Sequence, residues 1–284
     1  MKLLVTGAAG MLGRDVMLAA GNAGHDVVGF GRAELDVTDA AALEKKFDLE
    51  RPDVVINCAA WTDVDGAEEA EADALAINGA GAGNVAAAAA AVGASVVYVS
   101  SDYVFDGSKG APYVESDQVA PQSAYGRTKL AGEEAVAAAN KRHFVVRSSW
   151  LFGVGGGNFV ETMLRLAESQ NEVLVVRDEV GSPTYTWHLA YGVVRLIEGV
   201  EFGIHHMAAA GRCSWYEFAR EIFEQAKVEC KVLSTTAAEF GRSASRPPYS
   251  VMVSQREHAI RLPSWQDGLA GYLAQRQAER EEGS

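Results

Sequence analysis

The chain has 284 residues, 48% of them hydrophobic and 22% charged, with a formal net charge of −13. That length and apolar content describe a globular chain able to bury a core, either as one large α/β unit or as a main domain with a smaller lobe. The acidic balance leaves no basic footprint for nucleic acid, so any site for an anionic nucleotide must be locally basic. Three cysteines, Cys58, Cys213 and Cys230, lack framework or metal-ligand spacing and fit a reducing cytoplasm. The apolar start is too short for a signal peptide, and no stretch reads as a membrane span.

In chain order, Lys2-Leu3-Leu4-Val5-Thr6 is a strand that runs into Gly7-Ala8-Ala9-Gly10-Met11-Leu12-Gly13. Met11, Leu12, Val16 and Leu18 then space a helix that Gly21-Asn22 ends. A glycine trio alone is a turn, but between a strand and a helix it reads as a dinucleotide cradle. Gly7 permits the tight turn, Gly10 admits a pyrophosphate, and Gly13 lets the helix lie close to the sheet. Free N–H groups at the helix start then face the phosphates, which places Met11 and Leu12 with the cofactor.

The second strand, 26–30, ends in Gly31-Arg32 without the carboxylate that a cofactor lacking a 2′-phosphate uses. Arg32 suits a ribose 2′-phosphate, hence NADPH before NADH, and equally suits a solvated turn. Asp36, with Val37 beside it, either accepts from the adenine amine or caps the next helix, 40–47. A buried strand at 54–57 leads to Cys58-Ala59-Ala60-Trp61, where small residues leave room for a ribose or simply end a strand. A small-residue helix at 79–92 and strands at 95–100 and 143–147 complete an alternating βα pattern. The expected fold class is α/β, a Rossmann-type doubly wound parallel sheet with a smaller C-terminal substrate lobe. The dinucleotide-binding domain spans 1–150, the segment near 186–206 returns to it, and 151–284 is mainly the lobe.

Ligands of such sheets lie beyond the carboxyl ends of the strands, which brings Ser100 and Ser101 to the site. Tyr125 and Lys129 stand four apart in a helical segment and share a face. An ammonium near a phenol favours its ionised form and lowers its pKa, making it a useful proton carrier. Lys129 also suits the ribose hydroxyls, and the Ser101 hydroxyl suits a substrate oxygen. An ordinary amphipathic pair has the same spacing; position after a strand-end serine, downstream of a nucleotide loop, favours chemistry. Asp102 is followed by Tyr103 and not by a second carboxylate, which disfavours elimination and leaves reduction.

Further on, Trp150 reads as an apolar sugar wall or as core, and a glycine-rich run precedes a helix at 159–169. Ser214-x-x-Glu217 forms a capping box that starts another helix. Arg246 suits a diphosphate, and the charged tail, 275–284, reads as frayed. His205-His206 alternates across a strand and offers no metal geometry.

These residues together resemble the extended short-chain dehydrogenase/reductase family, and within it the dTDP-4-dehydrorhamnose reductase branch. The likeness rests on Gly7 to Gly13, Asn57-Cys58-Ala59-Ala60-Trp61-Thr62, Ser100-Ser101-Asp102-Tyr103-Val104-Phe105-Asp106-Gly107, Tyr125-Gly126-Arg127-Thr128-Lys129-Leu130 and Arg147-Ser148-Ser149-Trp150. It continues through Asn158-Phe159-Val160, Gly181-Ser182-Pro183-Thr184 and Arg246-Pro247, so it covers nearly the whole chain. The resemblance implies reduction of the 4-keto group of a dTDP-linked 6-deoxyhexose by NADPH or NADH. It makes Ser101, Tyr125 and Lys129 the catalytic set. Trp61 joins Ala59, Ala60 and Ser100 at the cofactor. Val64, Asp102, Tyr103, Trp150, Asn158 and Arg246 fall to the substrate. Some members of the family form a magnesium-linked dimer, to which Asp15 could contribute, but His188 stands where another acid is expected, so that feature is not carried over: no metal is expected, and the assembly is a monomer or homodimer. Three rival readings remain: a neighbouring deoxysugar 4-ketoreductase, an epimerase or dehydratase with permanently bound NAD, which Tyr103 disfavours, and a non-catalytic reductase-like regulatory subunit.

Overall fold

The computed structural model describes residues 1–199 and 201–282. The first half alternates β1 (Lys2–Thr6), α1 (Met11–Asn22), β2 (Asp26–Phe30), α2 (Ala40–Glu50), β3 (Val54–Asn57), α3 (Val64–Glu69) and α4 (Glu71–Leu75). A π-helical turn (Ala76–Gly81) leads into α5 (Ala82–Ala91), followed by β4 (Ser95–Ser101), a 3-10 turn (Asp102–Val104), α6 (Ala124–Ala139) and β5 (His143–Ser148). The second half comprises β6 (Leu151–Phe152), α7 (Phe159–Ala167), β7 (Glu172–Val176), β8 (Val180–Gly181), β9 (Thr184–Tyr185) and α8 (Thr186–Ile197). It ends with β10 (Gly203–His206), β11 (Cys213–Ser214), α9 (Trp215–Ala226), β12 (Lys231–Thr235), α10 (Ala237–Phe240) and α11 (Trp265–Glu282).

Six strands form one parallel sheet in the order β10-β5-β4-β3-β1-β2. β3 is buried at every residue and β1 at all but its first, as strands covered by helices on both faces must be. Leu3, Val5, Val54, Ile56 and Val146 pack on one face against α1 and α8, which brings Leu189, Ala190 and Val193. On the other face Leu4, Val55, Val96 and Val145 meet α2, α5 and α6. A third cluster around Phe152, Tyr185, Phe218, Ile222, Leu269 and Tyr272 is built by α7, α9 and α11 with β7. The order turns about β1 and β3, so the crevice for a ligand opens there, at the carboxyl ends.

Several boundaries differ from expectation. Helix runs continuously from Glu71 to Ala91 and is long and apolar enough by composition to pass for a membrane span, yet half of that apolar window is buried inside the fold. Its alanines lie against α2 and α6, and the sequence reading placed this helix at 79–92, missing its first part, 71–78. The tail expected to fray is helical through Glu282, held in part by Arg276 on Glu161 at 2.6 and 2.8 Å. Asp39, not Asp36, caps α2 by accepting from the Ala42 N–H.

α6 approaches β4 closely because position 132 has no side chain. A Cβ on Gly132 would stand 2.2 Å from both the Asn78 carbonyl oxygen and the Tyr98 hydroxyl. Gly132→Ala should therefore lower the unfolding free energy by ~2 kcal/mol or more, in the range of overpacking substitutions, read by urea denaturation; an unchanged midpoint would mean that the helix can move away freely.

Candidate active site

The glycine loop is shaped as a cradle. Gly7 has a φ of +67°, where glycine alone is comfortable, and a Cβ there would meet the Ala59 nitrogen at 2.6 Å. At Gly13 it would meet the Gly7 carbonyl oxygen at 2.3 Å, so α1 touches the loop directly. At Gly10 the nearest atom would be 3.4 Å away, which leaves that backbone approachable. Gly10 is the N-cap of α1 and supplies no side-chain hydrogen bond, so the first amides of the helix face the crevice without a partner from a capping side chain. These features fit a dinucleotide pyrophosphate.

A cavity of about 240 Å³ on one side of the cradle is lined by Gly7, Arg32, Asp36, Val37, Ala59 and Ala60. The Arg32 side chain is 81% exposed, with Nε 3.6 Å from Asp36. The Asp36 carboxylate accepts from the Thr38 N–H and the Thr38 hydroxyl, and these bonds hold it below the usual range. A larger cavity of about 670 Å³ holds Gly10, Met11, Leu12 and Gly13 at one end, then Ser100, Ser101, Tyr125 and Lys129, and Val64, Asp102, Tyr103, Trp150 and Arg246 beyond.

Ser101 ends β4, accepts from the Tyr103 N–H at 3.2 Å and lies 3.0 Å from Asp102 Oδ1. Tyr125 follows the Ser123 cap of α6 and packs edge-on to Tyr103, 5.4 Å between centroids. The expectation that an ammonium lowers its pKa is not met. Burial pushes the Tyr125 phenol up to about 12; a hydrogen bond with Ser101 pulls against this. Lys129 instead donates to the Val99 carbonyl at 2.6 Å and lies 4.3 Å over the Tyr98 ring. Burial lowers its own pKa to about 7, opposed by Glu133.

On the substrate side, burial raises the Asp102 carboxyl to about 6 and the Tyr103 phenol further above its ordinary value. Trp150 lies with φ +50° and stacks on Trp215, 3.5 Å between centroids, while Gly181 stands so close that a Cβ would reach 2.4 Å from the indole. The wall is therefore a tryptophan pair and not one free indole face. Arg246 lines the cavity but holds Asp65 through Nη1 at 3.2 Å and Nη2 at 2.7 Å.

Two expected contacts are absent from both cavity linings. Asn158 caps α7, accepting from the Glu161 N–H and donating to the Gly153 carbonyl, so it shapes the glycine-rich loop. Trp61 gives its indole N–H to the Asp63 carbonyl and packs against the cluster of Ala67, Ala74 and Ala124. Sequence reasoning missed Trp215, Phe159 and Arg242, which line the larger cavity. Arg242 pairs with Glu179 at 3.3 Å, and its spacing of four from Arg246 in a cation-poor chain was the available signal. It also missed buried Asn78, which ties the loop to α6 by accepting from the Trp61 N–H and donating to Thr128 Oγ1.

A family model described as RmlD substrate binding domain matches residues 1–278. The chain belongs to this family. A dTDP-4-dehydrorhamnose reductase of Streptomyces griseus is 43% identical over 91% of this chain and 88% of its own. The solved structure of a dTDP-4-dehydrorhamnose reductase from Clostridium acetobutylicum superposes with a TM-score of 0.95 at 43% identity, covering 98% of this chain and all of that one. A second, from Bacillus anthracis in complex with NADP, gives 0.94 at 39% identity over 96% of this chain and 99% of that one. The fold of this RmlD-family chain is thus the Rossmann-like α/β fold of those reductases.

Because Trp150 is stacked and backed, Trp150→Ala should reduce unfolding free energy by ~3 kcal/mol. Thermal and denaturant unfolding measure the effect; a variant as stable as the parent would show that the stack contributes nothing.

Proposed function

We propose that the chain is an NADPH-dependent oxidoreductase, able to use NADH, that reduces the 4-keto group of dTDP-4-dehydro-6-deoxy-L-mannose to give dTDP-L-rhamnose in deoxysugar biosynthesis. One observation carries this reading: Ser101, Tyr125 and Lys129 meet in a cavity that has the glycine cradle at one end and Val64, the tryptophan pair and two arginines at the other. The names of the relatives supply the sugar.

When bound, the reduced nicotinamide supplies a hydride to the carbonyl carbon. Tyr125 gives its proton to the carbonyl oxygen as negative charge develops there. A phenol at about 12 is fully protonated at neutral pH, yet it remains a stronger acid than a hydroxyl like that of water, at ~15.7. The Ser101 hydroxyl polarises the same oxygen, and Lys129 holds the cofactor ribose. Arg242 and Arg246 receive the diphosphate, exchanging Glu179 and Asp65 for it. Tyr103 cannot serve as a base at neutral pH, because burial and the Asp102 charge both keep its proton on. Elimination therefore lacks its second carboxylate.

The deciding assay follows oxidation of NADPH with dTDP-4-keto-6-deoxy-L-mannose beside its D-gluco-configured precursor. Turnover of the first supports the reading; turnover of the second alone makes the chain a neighbouring ketoreductase. Turnover of neither would leave a non-catalytic regulatory role.

Tyr125→Phe should reduce kcat by about 10²–10⁴-fold, the usual contribution of a positioned general acid, with NADPH affinity largely retained. A near-normal kcat, with a deuterated hydride donor showing chemistry to be rate-limiting, would remove Tyr125 from the mechanism.

Arg32→Ala tests the cofactor preference separately. Its NADPH affinity should fall by about tenfold or more, as expected for losing a charge-assisted hydrogen bond, while NADH affinity stays near the parent value. Equal losses for both cofactors would show that Arg32 does not read the 2′-phosphate.

A further inference from the structure

Behind the catalytic residues lies an ion pair almost sealed from water. Arg147, at the end of β5, donates through Nε and Nη2 to the two carboxylate oxygens of Glu133 at 2.8 and 2.6 Å, and the two side chains are 3% and 6% exposed. Ser100 Oγ donates to the same carboxylate. Removing two charges from water costs several kcal/mol per ion, and apolar replacements of similar shape are often as stable. Stability alone is therefore a weak reason for this pair.

Its location supplies a better one. Tyr125, Lys129 and Glu133 follow one another at intervals of four along α6 and so share a face. Ser100 precedes Ser101 on β4. The Lys129 ammonium is buried, with one carbonyl and one aromatic ring as its contacts, an environment in which burial favours the neutral amine. The other groups around it contribute less than Glu133. The Cys58 thiol, after β3, is pushed up to about 12 by burial; the Tyr98 phenol on β4 and Tyr125 on α6 also keep their protons. Asp102, beyond the end of β4, faces Ser101 and acts on Tyr125, and Arg147 faces Glu133 from β5. Glu133 is the charged group that opposes the loss of the Lys129 proton.

We propose that Glu133, clamped by Arg147 and Ser100, is a positioning residue that holds Lys129 toward its ammonium form against the effect of burial. Arg147 does two things: it fixes the carboxylate and offsets part of its charge. The pair then sets how strongly Lys129 is held positive, and Ser100 links that setting to the strand that carries Ser101. The assignment rests on the ketoreductase reading only for what Lys129 does afterwards.

Two charge changes of opposite sign test it. The Lys129 side chain is followed by carbon-13 NMR titration of the full chain without ligands, with Lys129→Met used to assign the resonance. A lysine is charged below its pKa, so removing the anion must make it lose its proton at lower pH, and freeing the anion from Arg147 must do the reverse. Glu133→Gln should lower the titration midpoint by about one pH unit or more, within the span typical for a neighbouring opposite charge. Arg147→Met should raise it. Glu133→Gln leaves a buried guanidinium unpaired, at a cost to folding, so the double variant Glu133→Gln with Arg147→Met, which keeps the pair neutral, is titrated beside it and should also titrate below the parent.

The alkaline limb of kcat/KM for NADPH-dependent reduction should move in the same order. A purely structural pair would change melting temperatures and leave the midpoint in place. An unmoved midpoint, or single variants shifting in the same direction, overturns the proposal. The titration needs no substrate, so it stands or falls apart from the turnover assay that judges the ketoreductase reading.

Discussion

The absence of a side chain at position 132 is the constraint on which the site depends. With hydrogen alone at that point, α6 settles onto β4, where the Tyr98 hydroxyl donates to the Asn78 carbonyl and lies beside the backbone of Lys129. One helix face thereby brings Tyr125, Lys129 and Glu133 against the strand that ends in Ser100 and Ser101. The same contact draws in the π-helical turn, whose Asn78 side chain holds the backbone at Trp61 and the hydroxyl of Thr128. Loop, helix and strand are fixed to one another by short contacts before any ligand arrives, as preorganised sites require.

The cradle at the other end of the cavity is held by the same device. Gly7 touches the backbone after β3, and Gly13 touches the carbonyl of Gly7. The glycine-rich stretch after β6 lies beside it: Gly155 and Gly156 stand against the side chains of Arg14 and Met11, which an added Cβ would have to displace. Asn158 secures that stretch through the Gly153 and Gly156 carbonyls. Close backbone approach, and not a lining of large polar side chains, is what forms this half of the site.

What the sequence disclosed follows how far apart the cooperating residues are. The strand, glycine loop and first helix are contiguous, so their pattern was readable, and the interval of four between Tyr125 and Lys129 needed only a helix. The capping box at Ser214 and Glu217 was legible for the same reason. The direction of the Tyr125 shift was not, because burial by distant segments decides it and Lys129 turns to Val99. Asn158 and Trp61 carried residue types suited to ligands, but local backbone groups claimed their hydrogen bonds. Trp215 and Arg242 reach the cavity from more than a hundred residues beyond β4, a distance across which periodicity says nothing.

Trp150 sits in a left-handed backbone conformation that costs a residue with a Cβ roughly 1–2 kcal/mol. Its indole stacks on Trp215 and lies close to the backbone of Gly181, so the strain is offset by contacts that hold the ring in place. A wall held in this way works as a template. On the proposed ketoreductase reading it turns away sugars whose ring substituents point into it and does not reshape itself around them. Stereochemical selection at this end of the cavity would then be by exclusion, and a different hexose would be admitted by recarving Trp150 and Trp215 together, not by loosening either one alone.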